Sequence, residues 1–453
     1  MDPLEQRLLA IVGPGGLLSR EEVASRSAGV MRADSLRARA LVRPRSTEEV
    51  AAVLKLCNEL EQPVVTHGGL TGLVHGGDAT PEELIVSLER MNAIETIDPL
   101  QRIALVQAGV TLQAVQEAAE AQDLFFPLDL GARGSCTIGG NVATNAGGNR
   151  VIRYGMARDL VLGIEAVLAD GSVVSSLNRM IKNNAGYDLK QLFVGAEGTL
   201  GVITRVVLRL FEKPRSQDVA LVAIDSFAAL TRFLKHIDSS LGGSLSAFEA
   251  MWREFYQLVT TPPARSAPPL PDSHPYYVLV EAQGADPQRD AERFGAALEA
   301  ALAQGLIDDA VIAHSARECA ALWALRDDVL QIGREGPPLT FDVSLPIAAM
   351  EDYVAEVRAA FAVWPDHRCW IWGHLGDGNL HFAVRAPVAR EEIERLVYRP
   401  LARIGGSVSA EHGVGLEKKP YLELCRAPGE MALMQRLKRA LDPRGILNPG
   451  KIF

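Results

Sequence analysis

The chain has 453 residues, of which 48% are hydrophobic, and it carries a formal net charge of -10. This length predicts about three domains, and this composition supplies enough apolar side chains for a large core. An acidic chain lacks the basic face of a nucleic-acid-binding protein, so we expect no nucleic-acid partner.

The cysteines are scattered, odd in number and without a CxxC pair, which argues against a disulfide framework and against thiolate metal sites. They are Cys57, Cys136, Cys319, Cys369 and Cys425. Their pattern favours a reducing cytoplasm. No apolar run reaches the roughly 18 residues of a membrane span. The N-terminal apolar stretch is interrupted by Gly13 and Pro14, which favours a surface helix over a signal peptide.

In chain order, two short helices are predicted first, at Leu4–Val12 and at Arg20–Ser27, with Ser19 as the cap of the second. A third helix is predicted from Ser46 or Thr47 to about Leu60, because a hydroxyl cap precedes acidic first-turn residues.

A strand at Pro63–Thr66 then leads into the first glycine loop, His67–Gly77, with the sequence HGGLTGLVHGG. Successive backbone N–H groups in such a loop can bind phosphate oxygens. Three further strands are predicted at Leu84–Leu88, Ile94–Asp98 and Ile103–Val106. A helix capped by Thr111 follows and ends near Ala121.

The second glycine segment, Pro127–Gly155, has the sequence PLDLGARGSCTIGGNVATNAGGNRVIRYG. Glycine among apolar residues indicates backbone that turns sharply or lies close against a flat surface. One interpretation is a set of tight turns between short strands, and the other is a cradle for a large planar cofactor that bears phosphate. A hairpin at Gly163–Ala169 and Ser172–Ser175 follows, and small residues lie beside apolar ones again at Phe193–Thr204.

A charged, proline-containing break at Glu212–Ser216 is the first predicted domain boundary. Beyond it, alternating patterns predict a sheet with helices on one face. The predicted strands are Ala220–Ile224, Tyr276–Glu281 and Ala310–Ala313, and the predicted helices are Phe227–His236, Arg289–Ala303 and Arg317–Ile332.

His374 and His381 lie seven residues apart in WIWGHLGDGNLHF. Two antiparallel strands joined by the Gly-Asp-Gly turn would bring both imidazoles to one point. Two imidazoles and a carboxylate suit a borderline divalent metal. Glu411 is the preferred third ligand and Asp377 the second choice. The alternative is a histidine pair that is satisfied within a hairpin.

His412 directly follows Glu411, and adjacent extended side chains diverge. If Glu411 faces a metal, His412 faces away from it and is available to accept a proton near neutral pH. The alternative is a structural histidine. The chain has no GxGxxG fingerprint, so a Rossmann nicotinamide domain is disfavoured.

Seven motifs occur in uninterrupted order from Leu41 to Phe453: RPRSTEEV, the two glycine segments, VGAEGTLGVITRV, WGHLGDGNLHF, EHGVG and LDPRGILNPGKIF. Together they resemble the FAD-linked oxidases of the vanillyl-alcohol-oxidase (PCMH) type. Within that family, the chain is most similar to the D-2-hydroxy-acid branch, which contains D-lactate and D-2-hydroxyglutarate dehydrogenases and the glycolate oxidase FAD subunit.

The resemblance implies an α+β fold with a two-part, PCMH-type FAD-binding domain at 41–213. A substrate domain of mixed antiparallel sheet and helices would follow at 214–445. Residues 1–40 would form an N-terminal helical segment, and residues 446–453 a tail that returns to the flavin.

The resemblance also assigns cofactor-binding residues. In the first loop the pyrophosphate would be held by Gly68, Gly69, Thr71 and Gly72. The cofactor would be lined by Pro127, Gly131, Ser135, Thr137, Gly139, Gly140, Asn145, Gly147, Gly148, Glu197, Gly198, Gly201 and Ile203, with Asn448 at the ring edge. His67 stands where the family commonly has arginine. Some relatives bind flavin covalently through a histidine, but that histidine usually follows the glycines, so the FAD is expected to be noncovalent.

By the same resemblance, His374, His381 and Glu411 would hold a divalent metal, with zinc as the first choice. The metal would bind the substrate carboxylate and 2-hydroxyl, His412 would remove the hydroxyl proton, and the C2 hydride would pass to flavin N5. Arg326 matches an arginine that grips a substrate carboxylate. Its alternative is an exposed ion pair on a helix.

The substrate is expected to be a small D-2-hydroxy acid. Where 2-hydroxyglutarate enzymes usually have a YKYD-like string, this chain has Leu339–Asp342, and Ala383 replaces their usual asparagine. Both changes remove groups suited to a distal carboxylate of the substrate. Lactate-like and glutarate-like substrates are therefore expected about equally, with a slight preference for a substrate whose side chain is smaller or less polar than that of 2-hydroxyglutarate.

The sequence does not identify the electron acceptor, for which an electron-transfer flavoprotein, a quinone and a cytochrome are the candidates. A homodimer is the candidate assembly. The rival functions are an FAD-binding protein without turnover and a metal-dependent hydrolase. The second rival leaves the glycine cradle unexplained.

Overall fold

The structure is a computed structural model that describes residues 2–30 and 32–453. Its contacts divide the chain into two compact units. The first unit comprises Met1–Gly147, Gly155–Lys213 and Glu411–Phe453, and the second comprises Gly148–Tyr154 and Pro214–Ala410.

Each unit therefore contains a segment that is separated along the sequence from the rest of that unit. The segment that returns to the first unit begins at Glu411, whereas the sequence analysis placed only residues 446–453 in a returning tail. The second unit takes Gly148–Tyr154 from within the second glycine segment. The described part of residues 1–40 folds within the first unit.

The first unit is built on two small sheets. Its strands are β1 (Leu17–Leu18), β2 (Ala40–Val42), β3 (Val64–His67), β4 (Leu84–Ser87), β5 (Ile94–Asp98), β6 (Ile103–Gln107), β7 (Leu124–Phe125), β8 (Val161–Val167), β9 (Val173–Ser176), β10 (Val202–Arg209) and β11 (Phe211–Glu212). One sheet has the order β1-β2-β4-β3, in which β4 runs parallel to both β2 and β3. The other is antiparallel, in the order β5-β6-β10-β8-β9, and β7 pairs with β11.

The helices up to residue 160 are α1 (Pro3–Val12), α2 (Arg20–Ala24), α3 (Thr47–Glu59), α4 (Leu112–Glu120), α5 (Ile138–Ala143), α6 (Val151–Tyr154) and α7 (Ala157–Leu160), of which α6 belongs to the second unit. Five of these seven helices, α1 to α5, begin after a hydroxyl or acidic cap. The predicted caps Ser19, Ser46 and Thr111 each accept a hydrogen bond from the backbone N–H three residues on. The three cap predictions are therefore confirmed.

The second glycine segment contains helices. Thr137 caps α5, whose Gly140 N–H donates to the Thr137 hydroxyl oxygen at 3.4 Å. Helices α6 and α7 follow before the chain enters β8. The interpretation of this segment as only tight turns between short strands is therefore wrong.

The second unit is one seven-stranded antiparallel sheet in the order β15-β12-β14-β13-β17-β18-β16. Its strands are β12 (Ser216–Ile224), β13 (Leu245–Trp252), β14 (Tyr276–Gly284), β15 (Asp309–Ile312), β16 (Leu339–Ser344), β17 (Arg368–His374) and β18 (Asn379–Arg385). Its further helices are α8 (Phe227–Leu241), α9 (Arg253–Thr260), α10 (Pro287–Ala303), α11 (Ala316–Asp327), α12 (Met350–Phe361), α13 (Arg390–Tyr398) and α14 (Leu401–Ile404). Helix α15 (Pro428–Leu441) lies in the first unit.

Helices cover both faces of this sheet, which corrects the prediction of helices on one face. Side chains alternate between faces along β13, so Phe248 and Met251 point in opposite directions. Phe248 packs on Phe233 of α8, with ring centroids 5.8 Å apart. Met251 packs in a core formed with residues of α9 and α11, among them Phe255 and Leu322. No helix of the described residues has both the length and the apolar character needed to cross a membrane.

Glu281 of β14 is a buried carboxylate at the centre of a polar cluster in the second unit. It accepts hydrogen bonds from Arg150, Gln217, Ser246 and Trp323 at 2.6–3.3 Å. Burial opposes its ionisation, but Arg150, Gln217 and Ser246 hold its pKa below the usual value. The cluster fixes the start of α6 to the sheet.

His67, at the end of β3, closes the first glycine loop within the first unit. Its Nε2 lies 2.7 Å from the carbonyl oxygen of Gly77, and the side chain is 2% exposed. Burial lowers the pKa of His67 to about 4, although the hydrogen bond to Gly77 acts in the opposite direction. The ring is therefore neutral at pH 7 and donates from Nε2.

This burial predicts a pH-dependent loss of stability. Between about pH 6.5 and pH 4 the unfolded chain binds a proton at His67 that the folded chain does not, so protonation favours unfolding as pH falls. A His67→Gln variant keeps an N–H donor for Gly77 but does not titrate. From pH 7 to pH 5, wild type should lose about 2 kcal/mol of stability relative to this variant in urea unfolding.

The exposed His314 supplies the matched control. A His314→Gln variant should follow wild type at both pH values. A difference between wild type and His67→Gln that stays constant from pH 7 to pH 5 would contradict the burial of a neutral ring.

Candidate functional site

The two glycine segments of the first unit meet backbone to backbone. A Cβ atom built on Gly69 would overlap the carbonyl oxygen of Ser135, and one built on Gly68 would lie 2.6 Å from the Thr137 hydroxyl oxygen. Only glycine leaves room for this approach. The predicted cofactor residues Gly68, Gly69, Ser135 and Thr137 are thus brought together.

The first loop presents unused backbone donors. Leu70 adopts a left-handed conformation with φ of 53°. Across residues 2–30 and 32–453, the N–H groups of Gly69, Leu70 and Thr71 donate to no protein acceptor. Consecutive N–H groups around such a residue form an anion-binding concavity. Together with the exposed glycines Gly72 and Gly131, this surface fits a phosphate-bearing cofactor such as FAD.

The C-terminal tail is tied to the same surface. Asn448 Oδ1 accepts from the N–H of Thr66 at 2.9 Å, and Asn448 Nδ2 donates to the carbonyl oxygen of Glu197 at 2.6 Å. Lys438 of α15 donates to the carbonyl oxygens of Thr199 and Leu447. The Asn448 amide therefore joins strand β3 to the residues before β10.

The side chain of Glu197 serves the segment that carries Glu411 and His412. Its two carboxylate oxygens accept from the N–H groups of Val414 and Gly415 at 2.7 and 2.8 Å. Burial raises its pKa, and these two hydrogen bonds oppose the rise. The sequence predicts Glu197 as a cofactor-binding residue, and the structure shows that its carboxylate also holds the backbone of Val414 and Gly415.

The other predicted cofactor residues are buried or half-buried. A Cβ on Gly147 would overlap the Glu411 carboxylate, so Gly147 makes room for that side chain. Asn145 Oδ1 accepts from the N–H of Arg158 at 2.9 Å. A glycine close to a protein neighbour is also found at Gly139, Gly198 and Gly201, against Ala108, Asn448 and Phe193 respectively. Gly140 is half-buried, Pro127 and Ile203 are buried, and Gly148 lies in the second unit.

In the second unit, β17 and β18 are antiparallel neighbours, as predicted for the two histidine strands. The turn between them carries Asp377, whose Oδ1 accepts from the N–H of Asn379 at 3.2 Å. The rings of His374 and His381 are 5.2 Å apart between centroids, and their planes are nearly perpendicular. The two imidazoles therefore converge, and both are buried.

Each imidazole has a buried carboxylate behind it. His374 Nδ1 lies 2.6 Å from Glu249 Oε1, and His381 Nδ1 lies 3.7 Å from Asp342 Oδ1. Burial would raise the pKa of Glu249, but His374 and Arg326 lower it to about 2. Histidine ligands of metals are commonly held by such carboxylates, so this donor set fits a divalent ion.

Arg326 of α11 is buried beside this pair. Its Nε donates to Glu249 Oε2 at 2.7 Å, and its Nη2 lies 3.4 Å from His374 Nε2. The alternative of an exposed ion pair on a helix is therefore wrong, because the partner is a residue of β13 and both side chains are buried.

Sequence reasoning missed Glu249 as a functional residue. It lies in Leu245–Trp252, a strand of eight buried residues that the sequence analysis did not predict. The available signal was one acidic residue within an apolar run of strand length. Such a charge is rarely buried without a partner.

Glu411 and His412 belong to the first unit, and His374 and His381 belong to the second. The predicted ligand set of His374, His381 and Glu411, with His412 as the base, stays a prediction. What the structure brings together in one unit is the two imidazoles, the two carboxylates and the guanidinium.

Two family models match the chain. Residues 213–452 match the FAD linked oxidases, C-terminal domain, and residues 38–176 match an FAD binding domain. The substrate-bound structure of p-cresol methylhydroxylase aligns with a TM-score of 0.79 at 17% identity, covering 99% of this chain and 96% of that one. This likeness concerns the fold alone, and it confirms the predicted α+β, PCMH-type class.

Curated relatives agree with the family models. The mitochondrial D-2-hydroxyglutarate dehydrogenase of Bos taurus is 43% identical over 418 residues, which are 91% of this chain and 76% of that protein. The D-2-hydroxyglutarate dehydrogenase of Xanthomonas citri pv. viticola is 41% identical over 424 residues, 91% of this chain and 89% of that protein. The chain therefore belongs to the FAD-linked oxidases and is an FAD-dependent D-2-hydroxy-acid dehydrogenase.

Proposed function

We propose that the chain oxidises D-2-hydroxyglutarate to its 2-oxo acid with FAD and a divalent metal, zinc being the first choice. The observation that carries the proposal is the pair of carboxylate-backed imidazoles next to a buried guanidinium, in a chain whose curated relatives bear the name of this activity. This donor set suits a metal, and the guanidinium suits a carboxylate.

The residues of the second unit would bind and orient the substrate. Glu249 holds Arg326 through Nε, which leaves Nη1 for a substrate carboxylate, and Nη2 would join it once a metal took the place of Nη2 at His374 Nε2. His374 and His381 would hold the metal together with Glu411. The bound metal supplies a positive charge that lowers the pKa of the 2-hydroxyl.

The residues of the first unit would hold the flavin and move the proton. The N–H groups of Gly69, Leu70 and Thr71 would bind its phosphates. His412 would take the proton from the substrate 2-hydroxyl. When bound, FAD supplies the acceptor for the hydride that leaves C2.

We further propose that the FAD is noncovalent, because His67 is buried and bonded to Gly77. The cytoplasm is the proposed location, since all five cysteines are free thiols. An electron-transfer flavoprotein, a quinone and a cytochrome remain the candidate acceptors, and a homodimer the candidate assembly.

A lactate-like acid is the second candidate substrate, and one observation favours it. Thr340 of β16 lies directly opposite Ala383 of β18, next to the pair of Asp342 and His381. The two departures from the 2-hydroxyglutarate pattern therefore form one patch. This patch offers neither an amine nor an amide to a distal carboxylate.

A comparison of the two acids tests the substrate. With an artificial electron acceptor, kcat/KM should be higher for D-2-hydroxyglutarate than for D-lactate. A double variant, Thr340→Lys with Ala383→Asn, should lower KM for D-2-hydroxyglutarate about tenfold, because a charge-assisted hydrogen bond contributes about 1.5 kcal/mol. Its KM for D-lactate should not change. Faster wild-type oxidation of D-lactate would transfer the proposal to the lactate-like acid.

The base is tested by His412→Ala. The variant should stay yellow, while the rate of flavin bleaching by D-2-hydroxyglutarate under anaerobic conditions should fall about 100- to 10,000-fold. His314→Gln, at an exposed histidine, is the control and should bleach like wild type. Bleaching of His412→Ala at the wild-type rate would show that another group takes the proton. A wild-type protein that stays yellow with either acid would favour FAD binding without turnover.

Metal dependence is tested by His374→Ala and His381→Ala. Each variant should retain FAD and lose bound divalent metal after dialysis, because a two-ligand remainder binds weakly. Elemental analysis of the dialysed proteins measures this loss. Equal metal content in wild type and both variants would remove the metal from the proposal.

A further inference from the structure

Glu249 joins the two functional groups of the second unit. Strands β13 and β17 pair with Glu249 directly opposite His374, so both side chains extend from the same face of the sheet. Glu249 is 1% exposed, and its two oxygens have different partners. Oε1 contacts Nδ1 of His374, and Oε2 accepts from Nε of Arg326.

We propose that Glu249 is a positioning residue for the reaction, with one oxygen fixing the tautomer and orientation of His374 and the other fixing the guanidinium of Arg326. This inference rests on the proposed function, because it assigns His374 to the metal and Arg326 to a substrate carboxylate. In this proposal Glu249 itself contacts neither the metal nor the substrate.

The Glu249 carboxylate sets the tautomer of the His374 imidazole. A carboxylate accepts hydrogen bonds and donates none, so the Nδ1 of His374 must carry the hydrogen. The lone pair is then on Nε2, the nitrogen that can bind a metal. A carboxylate partner also increases the basicity of the ligating nitrogen, and loss of such partners commonly weakens metal affinity about 10- to 100-fold.

The same carboxylate also holds the Arg326 guanidinium beside His374. Nη2 of Arg326 lies 3.4 Å from Nε2 of His374, so a metal bound at that nitrogen would be close to a buried positive charge. Like charges at short range in a buried site repel strongly. Glu249 supplies the compensating negative charge, and it lies within hydrogen-bonding distance of both the His374 imidazole and the Arg326 guanidinium. The carboxylate thus allows a cationic metal site and a cationic substrate clamp to be neighbours.

Two other carboxylates buried on this face have partners of their own. Asp342 lies opposite His381 and accepts a hydrogen bond from the side-chain amide of Asn379 at 2.8 Å. Glu281 binds Arg150, Gln217, Ser246 and Trp323. Glu249 is therefore the acid that His374 and Arg326 share.

Three substitutions at Glu249 test the inference. In Glu249→Gln the amide keeps the volume but loses the charge, and its single acceptor cannot serve both donors. We expect metal affinity, measured by competition with a chelator, to fall about 10- to 100-fold, with KM for D-2-hydroxyglutarate raised at saturating metal. Glu249→Ala should show both effects more strongly. Glu249→Asp keeps the charge and should recover part of both.

The control is Glu254→Gln, which removes a carboxylate of α9 that pairs with Arg358 at the surface. It should match wild type in metal affinity and KM. Thermal midpoints and flavin content of all variants separate a positioning role from a general loss of fold.

Wild-type metal affinity together with wild-type KM in Glu249→Gln would overturn the inference. So would equal losses in Glu249→Gln and Glu249→Asp that merely follow a lowered thermal midpoint, because that pattern marks a structural role. A wild-type protein that binds metal but does not bleach with either acid would overturn the proposed function. The metal affinities of the Glu249 variants would still decide the role of the carboxylate.

Discussion

Backbone lies directly on backbone where the two glycine segments of the first unit meet, and the flavin surface depends on this contact. No side chain fits on Gly69 against the carbonyl of Ser135, so the first loop can approach the segment before α5 closely. Across the described residues, its N–H groups at Gly69, Leu70 and Thr71 donate to no protein acceptor. The Asn448 amide and the Glu197 carboxylate then connect the C-terminal segment to the same region. Several residues that look like cofactor ligands in the sequence thus also hold the surface together.

Buried charge is the corresponding constraint in the second unit. A carboxylate inside a sheet is costly unless it is paired and hydrogen-bonded. Glu249 and Glu281 meet this requirement in separate clusters, one with His374 and Arg326 and the other with Arg150 and neutral donors. In the proposed function a metal ion would lie beside the Arg326 guanidinium, and the shared Glu249 carboxylate would lower the repulsion between these two positive charges. Helices α9 and α11 exclude water from this face.

Much of the fold follows from local signals, and the missing parts have physical reasons. Hydroxyl caps and amphipathic spacing predict α2, α3 and α4, and the turn between His374 and His381 predicts the convergence of their rings. Strand β13 was missed because all eight of its residues are buried, and a strand without alternation has no period to read. The passage of Gly148–Tyr154 into the second unit was also missed, because it depends on the long-range pair of Arg150 and Glu281, which lie 131 residues apart.

The most direct test of the account is an absorbance spectrum of the purified protein combined with elemental analysis. The account predicts a yellow protein with about one FAD and about one divalent metal ion per chain. A colourless, metal-free protein that added FAD and zinc cannot convert to the yellow form would contradict it.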